Sequence, residues 1–420
     1  MTKADKGKRK SLRVNRNRLW SRHMELAKIG AVQDTGSCRL ALSDEDAAAR
    51  DLFALWCREA GLLVRSDLAG NMFALRSGRD PVRPAVAMGS HLDTQPHGGR
   101  FDGISGVLAG LEVVETLNDA NIETDAPLAV INWTNEEGVR FAPGLLGSSW
   151  YSGFIKDEAL KNICSQDGEF FLDEIERIGW NGDMLKTDLQ LDSFFELHIE
   201  QGPILELASL QVGVVTAVQG LCWLEVSVTG MNAHAGTTPL NARKDALLSS
   251  SAMLVELNKM GIDLAPDARV SVGRLKTTTD GPSTVVGQTD FIIDIRHPSE
   301  QALCDLKMRC DSKCHAIADT YGCNCEVSQR LFVPPVAFDE DCIFQLASAA
   351  ENLNLRYKSM PSGALHDASN VAQIVPSAMI FVPCQDGISH NIAEYASPDD
   401  LAAGSNVLLY AALARANASG

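Results

Sequence analysis

Apolar and polar residues change their rhythm twice along this chain of 420 residues. From Leu19 to about Ile29 the apolar positions recur at helical spacing. Ser43 stands before Asp44-Glu45-Asp46, a hydroxyl cap followed by first-turn acids, and predicts a helix to about Ala60 that stops at Gly61. Short extended segments follow at Leu63–Arg65 and Met72–Leu75. Ala85–Gly89 and Leu128–Trp133 are continuous apolar runs of the kind found in strands covered on both faces. Ile104–Leu117 between them reads as a helix. This alternation predicts a doubly wound, mostly parallel α/β sheet, which places ligands beyond the carboxyl ends of its strands.

Past residue 218 the rhythm becomes strict alternation. Cys222, Leu224, Val226 and Val228 share one face of a strand. Helical spacing over Asn241–Met260 ends at Gly261, strands follow at Val270–Leu275 and Phe291–Ile295, and Glu300–Tyr321 is helical up to Gly322. Cys325–Phe332 is again a strand. This β-α-β-β-α-β order is the ferredoxin-like unit, and it occupies 218–332. Helix and strand alternation then resumes with Cys342–Asn352, Ala378–Val382 and Leu401–Ala414. The reading is a large domain built from 19–217 and 333–420, with a small α+β domain inserted at 218–332 and a basic flexible tail at 1–18.

Composition narrows the class. Hydrophobic residues are 45% and charged residues 22%, an ordinary globular balance that excludes a disordered, collagenous or coiled-coil chain. The net charge of −17 opposes nucleic acid. No apolar run reaches the ~18 residues of a membrane span. Met1–Arg18 is basic without the apolar core of a signal peptide. The eleven cysteines are scattered and form no C-x-x-C pair, which suits reduced thiols in a cytoplasmic protein.

Five segments place cation-type ligands near strand ends or glycine-rich turns: Gly89-Ser90-His91-Leu92-Asp93-Thr94, Gly98-Gly99-Arg100-Phe101-Asp102-Gly103, Asn135-Glu136-Glu137-Gly138, Glu196-Leu197-His198-Ile199-Glu200-Gln201-Gly202 and Gly387-Ile388-Ser389-His390-Asn391. Singly, each reads as readily as a structural histidine, a solvated acidic loop or a turn. Together they offer the histidines and carboxylates that a pair of divalent ions requires. Glu136 and Glu137 are adjacent and point differently, so one can bind metal while the other acts as a base. Asp93 lies on the strand-end face of His91 and is placed to accept its ring N–H and fix the tautomer.

In this order, GSHLDT, GGRFDG, NEEGVRF, ELHIEQG, NAHAG and DGISHN resemble the dinuclear-metal amidohydrolases of the M20 peptidase class. More narrowly, they resemble the branch holding N-carbamoyl-L-amino-acid hydrolases, β-ureidopropionases and allantoate amidohydrolases. The resemblance runs from about Leu19 to the end of the chain. It implies a catalytic α/β domain with an inserted lid that forms a homodimer. It implies His91 and His198 on one metal, Glu137 and His390 on the other, Asp102 bridging them before a cis bond to Gly103, and Glu136 as general base. It implies two divalent ions, zinc first with manganese, cobalt or nickel as alternatives. Arg296 would clamp a substrate carboxylate, His234 would steady the oxyanion in the partner's site, and Gln201 would bind the carbamoyl group. Gly363 and His366 would line the cleft.

Two positions depart from the pattern. Ser283, thirteen residues before Arg296, stands where the family usually has an asparagine that also binds the carboxylate, and Leu365 stands where glycine is common. Both point to a non-standard substrate. The implied reaction is cleavage of the ureido C–N bond of an N-carbamoyl amino acid to amino acid, CO2 and ammonia. The alternatives are allantoate or another small N-acyl or ureido acid and, from a different class, a metal-free binding protein on the same fold.

Overall fold

The computed structural model describes residues 12–33, 35–279 and 281–418, which divide into two compact units. The first runs up to Thr216, resumes at Phe338–Met360 and continues from Leu365; the second holds Ala217–Ala337 and Pro361–Ala364. The excursion at Pro361–Ala364 lies within the span that the sequence assigns to the large domain.

The first unit is built on a sheet ordered Val212–Val218, Ser377–Val382, Leu191–Ile199, Ala85–His91, Leu128–Trp133, Met72–Arg76 and Leu63–Ser66. The four strands from Ser377–Val382 to Leu128–Trp133 are mutually parallel, and antiparallel strands flank them. Every residue of Ala85–His91, Leu128–Trp133 and Ser377–Val382 is buried. That is why these strands read as unbroken apolar runs: both faces are covered. Helices Ile104–Asp119, Glu340–Asn352 and Pro398–Ala416 pack on this sheet, and the short helices Leu146–Tyr151 and Asp367–Val371 form a second group against it. Ser43 caps Asp44–Glu59 by accepting the Asp46 N–H, as its sequence position predicts. No helix among the described residues is long and apolar enough to cross a membrane.

Leu191–Ile199 is a strand that periodicity does not announce. Asp192, Ser193, Glu196 and His198 interrupt its apolar residues, yet most of it is buried; Glu196 and His198 serve the site described below, while Asp192 pairs with Arg415.

The basic N-terminus needs a correction. Met1–Ser11 lie outside the described residues, but Leu12–Arg18 are not a free tail. Asn15 caps a helix that begins at Arg16, three residues before the expected Leu19. Arg18 places Nε and Nη2 on the two oxygens of Glu112, each at 2.7 Å, and Nη1 on Asp119 at 2.7 Å. Glu112 is wholly buried in helix Ile104–Asp119. Of the basic residues described here, Arg16 pairs with Asp399 and Arg18 belongs to an ion-pair network whose acids lie about a hundred residues away.

The second unit is a four-stranded antiparallel sheet ordered Arg269–Thr277, Gln288–His297, Gly220–Thr229 and Asn324–Val333, with helices Ala246–Asp263 and Glu300–Thr320. This is the ferredoxin-like order. Cys222, Leu224, Val226 and Val228 do share the inner face, packed with Phe291, Ile293, Met253, Leu257, Leu306 and Cys310. The first helix starts later than the pattern suggests, because Asp245 accepts the Leu248 N–H as its cap, and it runs through Gly261 to Asp263.

Replacing Arg18 by Met strands a buried carboxylate, so the variant should lose about 3 kcal/mol of unfolding free energy. Urea denaturation of the two chains checks this.

Candidate active site

The parallel strands deliver the candidate residues to one edge. His91 ends Ala85–His91, and Glu136 and Glu137 follow Leu128–Trp133. His198 lies at the end of Leu191–Ile199, His390 in the loop after Ser377–Val382, and Asp102 just ahead of helix Ile104–Asp119. Three non-glycine residues here, Asn135, Gln201 and His390, have left-handed backbones with φ of 57°, 55° and 52°. Such conformations are held by their surroundings and gather at functional sites.

Asp102 is the meeting point. Its Oδ1 lies 3.0 Å from His198 Nε2 and 3.8 Å from His91 Nε2; its Oδ2 lies 3.3 Å from His390 Nε2. Two donor triads result, His91–Asp102–His198 and Asp102–Glu137–His390, each with ligand atoms within 4.8 Å of one another. Glu137 Oε2 stands 3.6 Å from His390 Nε2, and Glu136 Oε2 stands 3.5 Å from His91 Nε2. The two glutamates thus diverge, one to each side.

The buried histidines are oriented from behind. His91 Nδ1 is 2.9 Å from the Asp93 carbonyl, and His198 Nδ1 is 2.9 Å from the Ile199 carbonyl. A carbonyl only accepts, so each Nδ1 carries the hydrogen and each Nε2 presents its lone pair towards Asp102. Asp93 thus accepts the His91 ring N–H, through its carbonyl. Its main chain, not its carboxylate, orients His91; the carboxylate Oδ1 is 3.8 Å from Nδ1. The Asp93 carboxylate instead accepts the backbone N–H of Glu136 at 3.2 Å and of Glu137 at 3.1 Å, fixing the loop that carries both glutamates. The cis Asp102–Gly103 bond implied by the resemblance is not found. The cis bonds among the described residues are Ala142–Pro143 and Ala265–Pro266, and Gly103 makes its turn with φ of 69°. A Cβ there would stand 2.3 Å from the His91 ring, so only glycine fits.

The electrostatics ask for positive charge. Asp93, Asp102, Glu196 and Asp367 are buried together, with Glu136 and Glu137 beside them. Among the described residues no lysine or arginine forms an ion pair with any of them. Burial and Asp367 hold Glu136 well above the carboxylate range; burial and Asp102 push Glu137 up to about 8. Burial lowers His91 to about 4. Burial works most strongly against His198, but the Asp102 carboxylate beside its Nε2, Glu196 and the Ile199 carbonyl together overcome it and raise it to about 9. Between an Nε2 lone pair and a carboxylate oxygen 3.0 Å apart, a proton or a metal ion must lie. The donor set of imidazole nitrogens and carboxylate oxygens fits divalent zinc, manganese, cobalt or nickel.

The expected substrate contacts divide between the units. In the first, Gln201 donates its amide to Asp102 Oδ2 at 2.9 Å and to Ser389 Oγ at 3.1 Å, so it engages the shared carboxylate. His366 is buried edge-to-face on His198, with ring centroids 4.5 Å apart. In the second unit, His234 is exposed and its Nδ1 accepts the N–H groups of Gly236 and Thr237 at 3.0 and 3.1 Å, leaving Nε2–H as a donor. Ser283 is its neighbour: the Ser283 carbonyl accepts the Ala235 N–H at 2.8 Å. Arg296 is not a bare cation. It forks onto Asp294 at 2.9 and 3.1 Å and donates to the Gly363 carbonyl at 2.8 Å.

Sequence reasoning missed four supports. Gln95 donates to Glu137 Oε2 at 2.6 Å. Glu196 accepts from Ser90 Oγ at 2.6 Å and the Ala368 N–H at 2.8 Å, and lies beside His198 and His366. Ser389 and Glu394 complete the surroundings of Asp102. Glu196 and Ser389 were visible inside the quoted motifs, two residues and one residue from ligand-type histidines; Gln95 and Glu394 carry no such signal.

The family model for peptidase family M20/M25/M40 matches residues 87–414. The chain belongs to this family. It is 42% identical over 401 residues to an N-carbamoyl-L-amino-acid amidohydrolase of Rhizobium meliloti, covering 96% of each chain. It is 33% identical to a ureidoglycolate hydrolase of Arabidopsis thaliana over 95% of this chain and 86% of that one. A crystal structure of an amidase of the hydantoinase/carbamoylase family from Burkholderia multivorans superimposes with a TM-score of 0.95 at 44% identity, covering 98% of this chain and 100% of that one. This M20 member shares the fold with those relatives along nearly its whole length.

Asp93→Ala would leave the N–H groups of Glu136 and Glu137 without their acceptor. Its unfolding free energy should fall by about 2–4 kcal/mol at two stranded donors, which calorimetry or urea titration can measure.

Proposed function

We propose that this protein hydrolyses the carbamoyl C–N bond of N-carbamoyl amino acids, releasing amino acid, CO2 and ammonia, with two divalent cations shared through Asp102. The observation that carries this is one carboxylate common to two donor triads, with Glu136 beside one and Glu137 in the other. In this reading His91 and His198 hold one cation, Glu137 and His390 the other, and zinc is the first choice. Bound there, the cations would bring the pKa of a water towards neutrality and polarise the scissile carbonyl.

The chain's own residues supply the rest. Glu136, held by the Asp93–backbone contacts, takes the proton from the attacking water and delivers it to the departing nitrogen. His234 Nε2–H donates to the developing oxyanion from the partner subunit. Arg296 uses three of its five N–H groups on Asp294 and Gly363, which leaves two to donate to a substrate carboxylate. Ser283, Gln201, Gly363 and His366 complete the substrate contacts. A second reading, another small ureido acid such as allantoate, is favoured by the departures at Ser283 and Leu365 and by the ureidoglycolate hydrolase relative.

A homodimer through the inserted unit is part of this reading, and the surface of that unit supports it. Leu248, Val255 and Ile262 are 53%, 55% and 65% exposed and repeat every seven residues along Ala246–Asp263. Strand Arg269–Thr277 lies at the sheet edge, paired on one side only among the described residues. An apolar stripe beside an open edge suits a self-complementary interface. The eleven cysteines are all free thiols, as in the cytoplasm.

Ammonia release from carbamoyl, formyl and acetyl amino acids and from allantoate, with zinc, manganese, cobalt and nickel added in turn, tests the assignment; no turnover of any carbamoyl amino acid with any metal overturns it. Glu136→Gln should keep its metal and lose about 10³-fold in kcat. Arg296→Ala should raise KM for carboxylate-bearing substrates, and unchanged kinetics would remove the clamp. Val255→Asp should dissociate the dimer in sedimentation analysis. Mixing His234→Ala with Glu136→Gln subunits should restore activity that neither has alone.

A further inference from the structure

Glu394 has no part in the roles above, yet it is only 2% exposed. Its Oε1 accepts the backbone N–H groups of Phe101 and Asp102, both at 3.1 Å. Its Oε2 lies 3.0 Å from the Ser389 hydroxyl. That hydroxyl also lies 3.1 Å from Asp102 Oδ2 and receives the Gln201 amide at 3.1 Å. One side chain therefore grips the main chain of Asp102 and, through Ser389, the residue before His390. The two loops are almost three hundred residues apart in the sequence, and both supply the Asp102–Glu137–His390 triad.

The loop opposite is shaped to receive this carboxylate. A Cβ on Gly99 would stand 2.2 Å from Glu394 Oε1 and 2.4 Å from its Cβ and Cδ. Glycine there lets the carboxylate reach the N–H groups that follow. Both Glu394 oxygens already have hydrogen-bond partners, so the side chain is engaged as a brace and not aimed at a cation. The two bonds to the Phe101 and Asp102 N–H groups fix the height of that peptide, and the Ser389 hydroxyl, with one hydrogen to place on Glu394 Oε2 or Asp102 Oδ2, links the two carboxylates. A modest rotation of the Asp102 carboxylate would turn Oδ1 from His198 or Oδ2 from His390.

We propose that Glu394 is a positioning residue that sets the Asp102 carboxylate between the two cation sites, with Gly99 as the gap that admits it. This rests on the two-cation reading above. The test uses the full chain, wild type and Glu394→Ala, Glu394→Gln and Gly99→Ala, stripped with chelator and titrated with cobalt(II). Visible absorption and retained metal after gel filtration report binding; steady-state kinetics use an N-carbamoyl amino acid. Glu394→Ala and Gly99→Ala should bind the second cobalt about 10–100-fold more weakly. Their kcat should fall in step while KM changes less than about twofold, since substrate contacts are intact. Glu394→Gln keeps the acceptor for both N–H groups and should recover most of the loss.

Wild-type cobalt affinity in a folded Glu394→Ala chain overturns the proposal. If that chain does not fold, wild-type affinity in both Glu394→Gln and Gly99→Ala overturns it. Should the wild type itself take up no cobalt, the two-cation function fails first, whatever the variants do.

Discussion

Asp102 is a single carboxylate confronted by three histidines, His91, His198 and His390, and by the Gln201 amide. Burying such a group is unfavourable unless its lone pairs are met, and here the surrounding acids add repulsion. The protein resolves this by constructing the rest of the site around it. Backbone carbonyls turn His91 and His198 so that their lone pairs converge. Asp93 gathers the backbone of Glu136 and Glu137. Glu394 and Ser389 hold Asp102 itself. The parallel sheet contributes what side chains cannot, a rigid row of strand ends from which these groups start.

Much of this was legible in the amino-acid order. The continuous apolar runs at 85–89 and 128–133 marked strands covered on both faces, and the alternation from Cys222 marked a strand with one inner face. Ser43 and its three following acids marked a helix start. The ligand-type residues were legible because they sit in short segments where histidine or acid adjoins a strand end.

What stayed hidden has physical causes. Leu191–Ile199 carries buried polar groups that destroy its apolar signature. Arg16 and Arg18 look like parts of a charged tail until Asp399 and Glu112 are folded against them. The contact between Asp93 and His91 was expected and occurs at the main chain, a detail that a one-dimensional spacing, which does not say which oxygen turns inward, leaves open. Glu394 is silent for a similar reason: its partners are backbone N–H groups, which every sequence possesses. Arg296 was expected as a clamp for a substrate carboxylate and is found shared with Asp294, two residues away and on the same side of its strand.

The interrupted course of the chain sets the order in which the molecule can be assembled. Strand Leu191–Ile199 lies between Ala85–His91 and Ser377–Val382, and the last of these reaches it only after the whole 217–337 excursion has been made. During synthesis from the N-terminus, the excursion can close its own four-stranded sheet while the larger sheet still lacks a neighbour for His198. Pairings over such sequence distances close slowly. A nascent polypeptide emerging from the ribosome thus shows an unfinished apolar edge until Ser377–Val382 is made, and the hydrolytic centre comes into being only with the loop that follows it.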